Sequence, residues 1–347
     1  MRSNDQEVFE QALRWHAQGL RSVLVTVLST YGASPRPPGA MAVINEAGLI
    51  VGSVSGGCVE DDLVQEVLAG HFWDAGAAVH HRTYGRDAAE RERYRLPCGN
   101  ALRLVVESQW DAAVLTEALA RMERGESLYK QLDYGSGLVR LESVAPAGGP
   151  SQPASAPIEF AESPTNLRVL LGPRHRLLLI GATEVSRYLA PIAQSLGYAV
   201  TVCDPREEYT GAWTDPSVTL IHQMPDDAVL DWRCDERTAV VTVTHDPKLD
   251  DLALMEALKS PAFYVGALGS SITTSKRKAR LLQFEVTPEQ LSRLKGPVGL
   301  PIGSRTPAEI AVSIAAELIQ VRSLIGSPDW RSEKPSWAPQ SASCLLD

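Results

Sequence analysis

The sequence predicts an α/β protein in two parts, an α+β domain in front and a domain built on a parallel sheet behind. Three observations predict it. At about 150 residues per domain, 347 residues amount to roughly two domains. A stretch dominated by Pro, Gly, Ala and Ser, PAGGPSQPASAPIEFAESP, lies between Pro146 and Pro164 and reads as a linker. Beyond it, short apolar runs of strand length alternate with segments of helical spacing, the pattern of a parallel, helix-flanked sheet.

In the front part, Val8, Ala12, Leu13 and Trp15 fall at helical spacing and predict a helix from about Gln6 to Gln18. Ser22–Leu28 is a strand run, and Thr30–Gly39 is crowded with Pro and Gly. Met41–Asn45 and Leu49–Ser53 flank a turn at Glu46–Gly48 and predict a hairpin. SGGCVEDDLVQEVLAG then opens a helix with Val59, Leu63 and Val67 on one face and Gly70 as its stop. Arg82–Arg95 is charged and expected to loop; Leu102–Val106 reads as a strand. These elements make a domain over residues 1–145, followed by a linker at 146–165 that holds one short strand, Ile158–Phe160.

The rear domain is expected over 166–326. Leu177–Ile180 is an apolar strand ending at Gly181, followed by a helix over Val185–Leu196. Ala199–Cys203 is a second strand, closed by Asp204. Val218–Ile221, Ala239–Thr244 and Phe263–Ala267 are further strands. Lys248–Lys259, Thr274–Gln283 and Pro307–Leu324 are helices. The tail, 327–347, lacks periodicity and is expected to be loose.

Composition narrows the function. With 33 basic and 42 acidic residues the net charge is −9, and the pI is near 5.4. That argues against a surface built to neutralise nucleic-acid phosphates. Hydrophobic residues at 44%, charged residues at 22% and a mean hydropathy of −0.10 describe an ordinary globular chain. It has no run of about 18 apolar residues, so no membrane span is expected. The opening MRSNDQEVFE is unlike a secretory leader. The five cysteines, Cys58, Cys98, Cys203, Cys234 and Cys344, are odd in number and form no CxxC pair. A reducing, cytoplasmic setting is the expectation.

The chemistry-bearing positions fall in both parts. Gly181 closes a buried strand just before a helix, and Asp204 ends the next strand, where a Rossmann unit places its pyrophosphate turn and its ribose-binding acid. Yet the turn reads GATEVS. Thr183 stands where a glycine would let phosphate approach, and Glu184 puts negative charge at the helix start; both oppose ordinary NAD binding. Two more loops sit at strand ends. His245 and Asp246 make either an acid/base pair or a polar pair that caps the next helix. Gly266–Ser271, with Gly269 and Ser270, leads into the basic Lys276–Arg280 helix and offers amides, hydroxyls and cations to an anion. Thr306–Glu309 is a capping box with Pro at the first helical position, preceded by Gly303, Ser304 and Arg305.

The most informative stretch is GSVSGGCVE, Gly52–Glu60. Gly56 and Gly57 let the backbone approach something closely, and Cys58 falls in the first turn of a helix whose positive end favours a thiolate. Glu60, Asp61 and Asp62 partly cancel that effect. Such a sulfur suits soft-metal ligation or nucleophilic attack; alternatively it packs as a small apolar residue under the turn. Cys98, in LPCGN, is a candidate neighbour. His80 and His81 are adjacent, so on a strand their side chains diverge and make no two-His metal site.

Taken together, GSVSGGCVE, the upstream GASPRPPGAM with Arg36, the CGN at Cys98, DPR at Asp204–Arg206, THDPKLDD, YVGALGS and GLPIGSRTPAEIAVSIAAELI resemble the XdhC/CoxF family. The likeness covers both domains, nearly the whole chain outside linker and tails. It implies an accessory protein rather than a catalyst, one that binds the molybdenum cofactor, protects it and lets its terminal sulfido ligand be installed. The cofactor, as molybdopterin or its cytosine dinucleotide, is then handed to an apo-enzyme of the xanthine dehydrogenase or aldehyde oxidoreductase type. A homodimer in the cytoplasm is implied, with a cofactor nucleotidyltransferase and a cysteine desulfurase as further partners. In front, Arg36, Ser55, Gly56, Gly57, Cys58 and Cys98 are then expected at the cofactor, Cys58 as the contact to molybdenum. Behind, Gly181, Asp204, His245 and Asp246 are expected there, together with Gly269, Ser270 and Arg305. Family members usually carry GAGHVA where this chain has Gly181–Ser186 as GATEVS, so no nucleotide contact carries over to 183 and 184. Two other readings stay open: a nicotinamide-dependent oxidoreductase using Asp204 with His245–Asp246, and an interaction scaffold with a vestigial site.

Overall fold

A computed structural model describes residues 4–31, 36–73, 76–87, 90, 92, 94, 101–144, 160–211, 213–284 and 286–324. The chain divides into two compact units, the first mainly residues 2–144 and 157–172, the second mainly Pro173–Ser327.

The first unit begins with helix α1 (Asn4–Ala17), strands β1 (Ser22–Tyr31), β2 (Met41–Asn45) and β3 (Ile50–Gly52), and helix α2 (Cys58–Leu68). Strands β4 (Val79–Tyr84) and β5 (Ala101–Glu107) complete an antiparallel sheet in the order β3-β2-β1-β5-β4. Helix α3 (Ala112–Glu123) leads to β6 (Leu128–Asp133), β7 (Val139–Ser143), β8 (Phe160–Glu162) and β9 (Asn166–Leu171), a second sheet ordered β7-β6-β9-β8. β1 is buried along nearly its whole length because both of its faces are covered. Val23, Val25 and Val27 pack with Val59, Leu63 and Val67 of α2, while Leu24 and Leu28 pack with α1, α3 and the second sheet. The expected hairpin forms, its turn closed by Asn45 Oδ1, which accepts from Ala47 N at 3.1 Å and Leu49 N at 2.9 Å.

Three features differ from the sequence reading. The loop expected from Arg82 instead continues β4 to Tyr84, because its backbone pairs with β5 from Val79↔Glu107 to Tyr84↔Leu102. Helix α3 and the second sheet were not anticipated. The boundary at residue 166 also shifts: β9 pairs with β6 from Leu128↔Leu171 to Asp133↔Asn166, so residues 157–172 return to the first unit.

In the second unit β10 (His175–Ile180), helix α4 (Glu184–Ser195), β11 (Tyr198–Cys203), the short α5 (Glu207–Thr210) and β12 (Thr219–Ile221) fill one half. Helix α6 (Pro225–Trp232), β13 (Thr238–Thr242), α7 (Pro247–Lys259), β14 (Tyr264–Ala267) and α8 (Ser271–Leu281) follow. The unit ends with α9 (Pro288–Ser292), β15 (Leu294–Lys295) and α10 (Pro307–Leu324). The six strands are parallel in the order β12-β11-β10-β13-β14-β15, a Rossmann-like sheet. Alternation along β10 explains the layering: Leu177 and Leu179 face α4 and α10, whereas Leu178 and Ile180 face α6, α7 and α8. The chain reverses its direction of growth between β10 and β13, and at such a switch point open α/β sheets take their ligands. No described helix is long and apolar enough to cross a membrane.

Candidate functional site

In the first unit the chain leaves β3 through Gly52, at φ +86°; a Cβ there would stand 2.4 Å from Met41 O and 2.7 Å from Val8 Cγ2, so only glycine fits. The following loop closes on one side chain, Glu60. Its Oε1 accepts from Ser53 Oγ (2.9 Å), Val54 N (2.9 Å), Ser55 N (2.8 Å) and Gly56 N (2.8 Å). Its Oε2 accepts from Gly57 N (2.9 Å) and from the Ser55 hydroxyl. Burial by itself would raise this carboxyl's pKa, but the donors of Ser55, Gly56 and Gly57 outweigh burial and hold it at about 2. The loop amides, expected to be open to a ligand, are therefore turned onto the chain's own anion. Glu60 is more than a partial counter-charge to the helix: it builds the loop.

The loop delivers Cys58 to the first position of α2, half-buried and with a free thiol. Cys203 and Cys234 contrast with it: both are buried, and burial pushes each thiol up to about 11. One helical turn on from Cys58, Asp62 accepts from Tyr84 Oη at 3.2 Å and Tyr94 Oη at 3.3 Å, and these two rings meet edge-on at 5.0 Å. Another turn on, Glu66 pairs with Arg82 at 2.7 Å. The row Cys58–Asp62–Glu66 thus shares one helix face. Arg36 is half-buried, and Cys98 lies outside the described residues. His80 packs on Phe72 and His81 on Tyr134, diverging as the strand dictates. Among the described residues no group of three or more His, Cys, Asp or Glu could hold a metal ion.

In the second unit Gly181 sits at φ +114°. A Cβ there would meet the Cα, N and Cγ2 of Thr244 at 3.0 Å, so the turn after β10 presses on the loop after β13. Asp204 is fully enclosed: it accepts from Ala182 N at 2.9 Å and from Arg206 Nε and Nη2 at 2.9 and 2.8 Å. Burial opposes its ionisation, but these donors hold its carboxyl below the usual range. Both oxygens of Asp204 thus already accept from the protein itself, and the side chain ties two strand ends together.

Asp246 caps α7, accepting from Lys248 N at 2.9 Å, which is the plainer of its two readings. His245 is exposed and lies in the left-handed region at φ 63°. Beneath them Asp250 accepts from Thr244 Oγ1 at 2.7 Å and from Arg277 Nη2 at 2.8 Å. Arg277 also donates to Leu268 O at 3.0 Å and to Asp251 at 3.2 Å, where Arg280 joins at 2.7 Å. The basic helix was expected to offer these cations to an anion; Arg277, only 2% exposed, is instead spent inside the protein, and Arg280 is paired at the surface. Gly269 lies at φ +155°, and Ser270 caps α8 through Thr273 N at 3.1 Å. Arg305, exposed, precedes α10, where Glu309 accepts from Arg305 N and Thr306 N at 2.8 and 2.9 Å, as a capping box requires.

The fold therefore brings Gly181, Asp204, His245, Asp246, Gly269 and Ser270 to the carboxyl edge of one sheet. Sequence reasoning missed the organising roles of Glu60, Asp250 and Arg277. Only Glu60 left a signal, an acid three residues after a glycine N-cap.

Residues 177–318 match the model of the XdhC Rossmann domain, and residues 15–85 match that of the XdhC and CoxI family. A protein of Bacillus subtilis (strain 168) described as a probable xanthine dehydrogenase subunit is 27% identical over 320 residues, covering 87% of this chain and 93% of that protein. The molybdenum cofactor insertion chaperone PaoD of Escherichia coli (strain K12) is 27% identical over 305 residues, 88% of this chain and 84% of PaoD. A crystal structure from Bacillus halodurans, described as a xanthine dehydrogenase, shares the fold with a TM-score of 0.68 at 24% identity, over 92% of this chain and 96% of that one.

Proposed function

Since the chain belongs to the XdhC and CoxI family, we propose that it binds a molybdenum cofactor as cargo and delivers it to an apo-molybdoenzyme of the xanthine dehydrogenase type. One observation carries the reading beyond the kinship: the Glu60-braced loop holds Cys58 half-open at a helix start, while Cys203 and Cys234 are buried. A thiol sulfur matches the softness of a molybdenum centre bound through sulfur. A single soft contact supplemented by hydrogen bonds also suits a carrier, which must let go. In the second unit, taken by itself, the switch point of the sheet is where open α/β folds take ligands. The nicotinamide reading loses support, because its ribose acceptor, Asp204, is enclosed by Ala182 and Arg206.

The test is direct. Protein purified from cells that make the cofactor should carry molybdenum and pterin in stoichiometric amounts and activate an apo-enzyme. Cys58→Ala should lower retention at least about tenfold, the scale of a lost metal-site contact, with Cys234→Ala nearly silent. A preparation that holds neither molybdenum nor pterin and activates nothing removes the proposal. Nucleotide analysis of the same extract identifies the cofactor's form.

A further inference from the structure

Helix α10 is apolar on more than the side its own unit covers. Its inner face, with Ala311, Ile314, Ala315 and Leu318, packs on the sheet next to α4. The opposite face repeats Ala308, Val312, Ala316, Ile319 and Ser323 at helical spacing, so these five side chains form one outward stripe. Val312 is 50% exposed and Ile319 42%, and on the neighbouring α4 Tyr188 is 48% exposed. A helix that is apolar all round belongs inside a protein or inside an assembly.

Charge sets this face apart. α10 carries three charged side chains, Glu309, Glu317 and Arg322, and each is engaged within the second unit. Glu309 accepts from Arg305 N and Thr306 N at 2.8 and 2.9 Å. Glu317 accepts from Tyr264 Oη at 2.5 Å and from Gly299 N at 2.7 Å. Arg322 donates to Leu196 O at 3.2 Å. None of the three lies on the stripe. At its margin α4 exposes Glu184 and Arg187, one of each sign. The whole chain carries −9, so two copies repel each other, and they do so least across a face that has no charge of its own and a balanced margin.

We propose that the outer face of α10, with Tyr188 of α4, docks on the same face of a second copy of this chain about a two-fold axis. The contact is isologous, so each stripe meets its own likeness. Val312 and Ile319 are its projecting groups, and Ala308, Ala316 and Ser323 leave the hollows between them. Interfaces of this kind are apolar and poor in charge at the centre and polar at the rim, which is the distribution found here. With 18 and 12 residues, α10 and α4 extend about 27 and 18 Å. At a helix spacing of about 10 Å they present about 450 Å² in projection. Accessible area exceeds projection, which brings the contact towards the ~800 Å² per partner of a specific interface. The proposal is independent of what cargo the chain carries.

Sedimentation equilibrium of the full chain at micromolar concentration tests this and should show a dimer. Val312→Glu combined with Ile319→Glu should weaken association at least about 100-fold, because like charges then meet across the axis. Circular dichroism and the thermal midpoint should stay unchanged, since both positions are exposed. Val312→Lys combined with Ile319→Lys should do the same, and an equal mixture of the two variants should dimerise again, which a folding defect would not allow. Leu230→Glu, exposed on α6 across the sheet, should leave the dimer intact. A monomeric full chain, a dimer that survives either pair of substitutions, a mixture that stays monomeric, or a dimer lost on Leu230→Glu overturns the proposal. The chaperone reading is decided separately, by retained molybdenum, which none of these measurements reads.

Discussion

Glu60 gathers six donors onto two oxygens, and the conformation of the loop 53–57 follows from that one side chain. Removing one oxygen leaves buried donors unpaired, so Glu60→Gln should cost about 2 kcal/mol, read as a lower thermal midpoint, and should free the Cys58 loop to exchange its amide protons faster. The pH dependence has a definite sign. The folded carboxyl, at about 2, lies below its ordinary value of 4.5. Its stabilisation is thus complete above pH 4.5 and disappears as pH falls towards 2; Glu60→Gln should flatten that part of the stability profile. At the rear edge, Gly181→Ala would force a Cβ to within 3.0 Å of three Thr244 atoms at a φ of +114°. A loss of about 1–3 kcal/mol is expected in denaturant titration. The special place of Cys58 at a glycine-opened helix was legible in the sequence. The role of Glu60 was not, because spacing shows an acid near a helix start but not the inward turn of five residues of loop.

Between elements, two buried ion pairs do what hydrophobic packing does elsewhere. Arg277 of α8, 2% exposed, joins Asp250 of α7 and the carbonyl of Leu268, and so fixes the loops that follow β13 and β14. Arg277→Met leaves a buried carboxylate unpaired and should cost about 3–5 kcal/mol, with hydrogen exchange rising first in 244–246 and 268–270. In the first unit Lys130 of β6 reaches Glu107 of β5 between the two sheets, both side chains 3% exposed. Lys130→Met alone should be strongly destabilising. The double change with Glu107→Leu should recover most of the loss, since no charge is then stranded; a double-mutant cycle measures it. Helical phase announced α2, α4, α7 and α10, and short apolar runs announced β1, β2 and the strands of the rear sheet from β10 to β14. Which cation meets which acid was not announced, since the partners lie 27 and 23 residues apart.

At the scale of the whole chain, composition marked a linker but misplaced where the first unit ends. β9 sits inside its sheet between β6 and β8, and Leu167, Val169 and Leu171 enter the first unit's core. Three such side chains contribute about 1.5–3 kcal/mol each, comparable with the whole stability of a typical domain. A fragment of residues 1–172 should therefore unfold in one sharp thermal transition, whereas residues 1–165 should melt broadly or not fold. A sharp transition from the shorter fragment would contradict the pairing of β9 with β6.

The sequence by itself determined the two-part α/β organisation, the phases of most helices and strands, the glycine-borne thiol and the kinship, because periodicity, turn chemistry and motifs are local and survive in one dimension. Tertiary structure alone decided that Glu60 owns its loop, that Asp204 is bonded to Ala182 and Arg206, that Arg277 is spent on Asp250 and Asp251, and that β9 belongs in front. Each of these depends on which groups the folded backbone brings to hydrogen-bond distance, whether three residues apart, as Gly57 and Glu60 are, or 27, as Asp250 and Arg277 are. No linear pattern encodes which donor a folded backbone will bring to a given carboxylate.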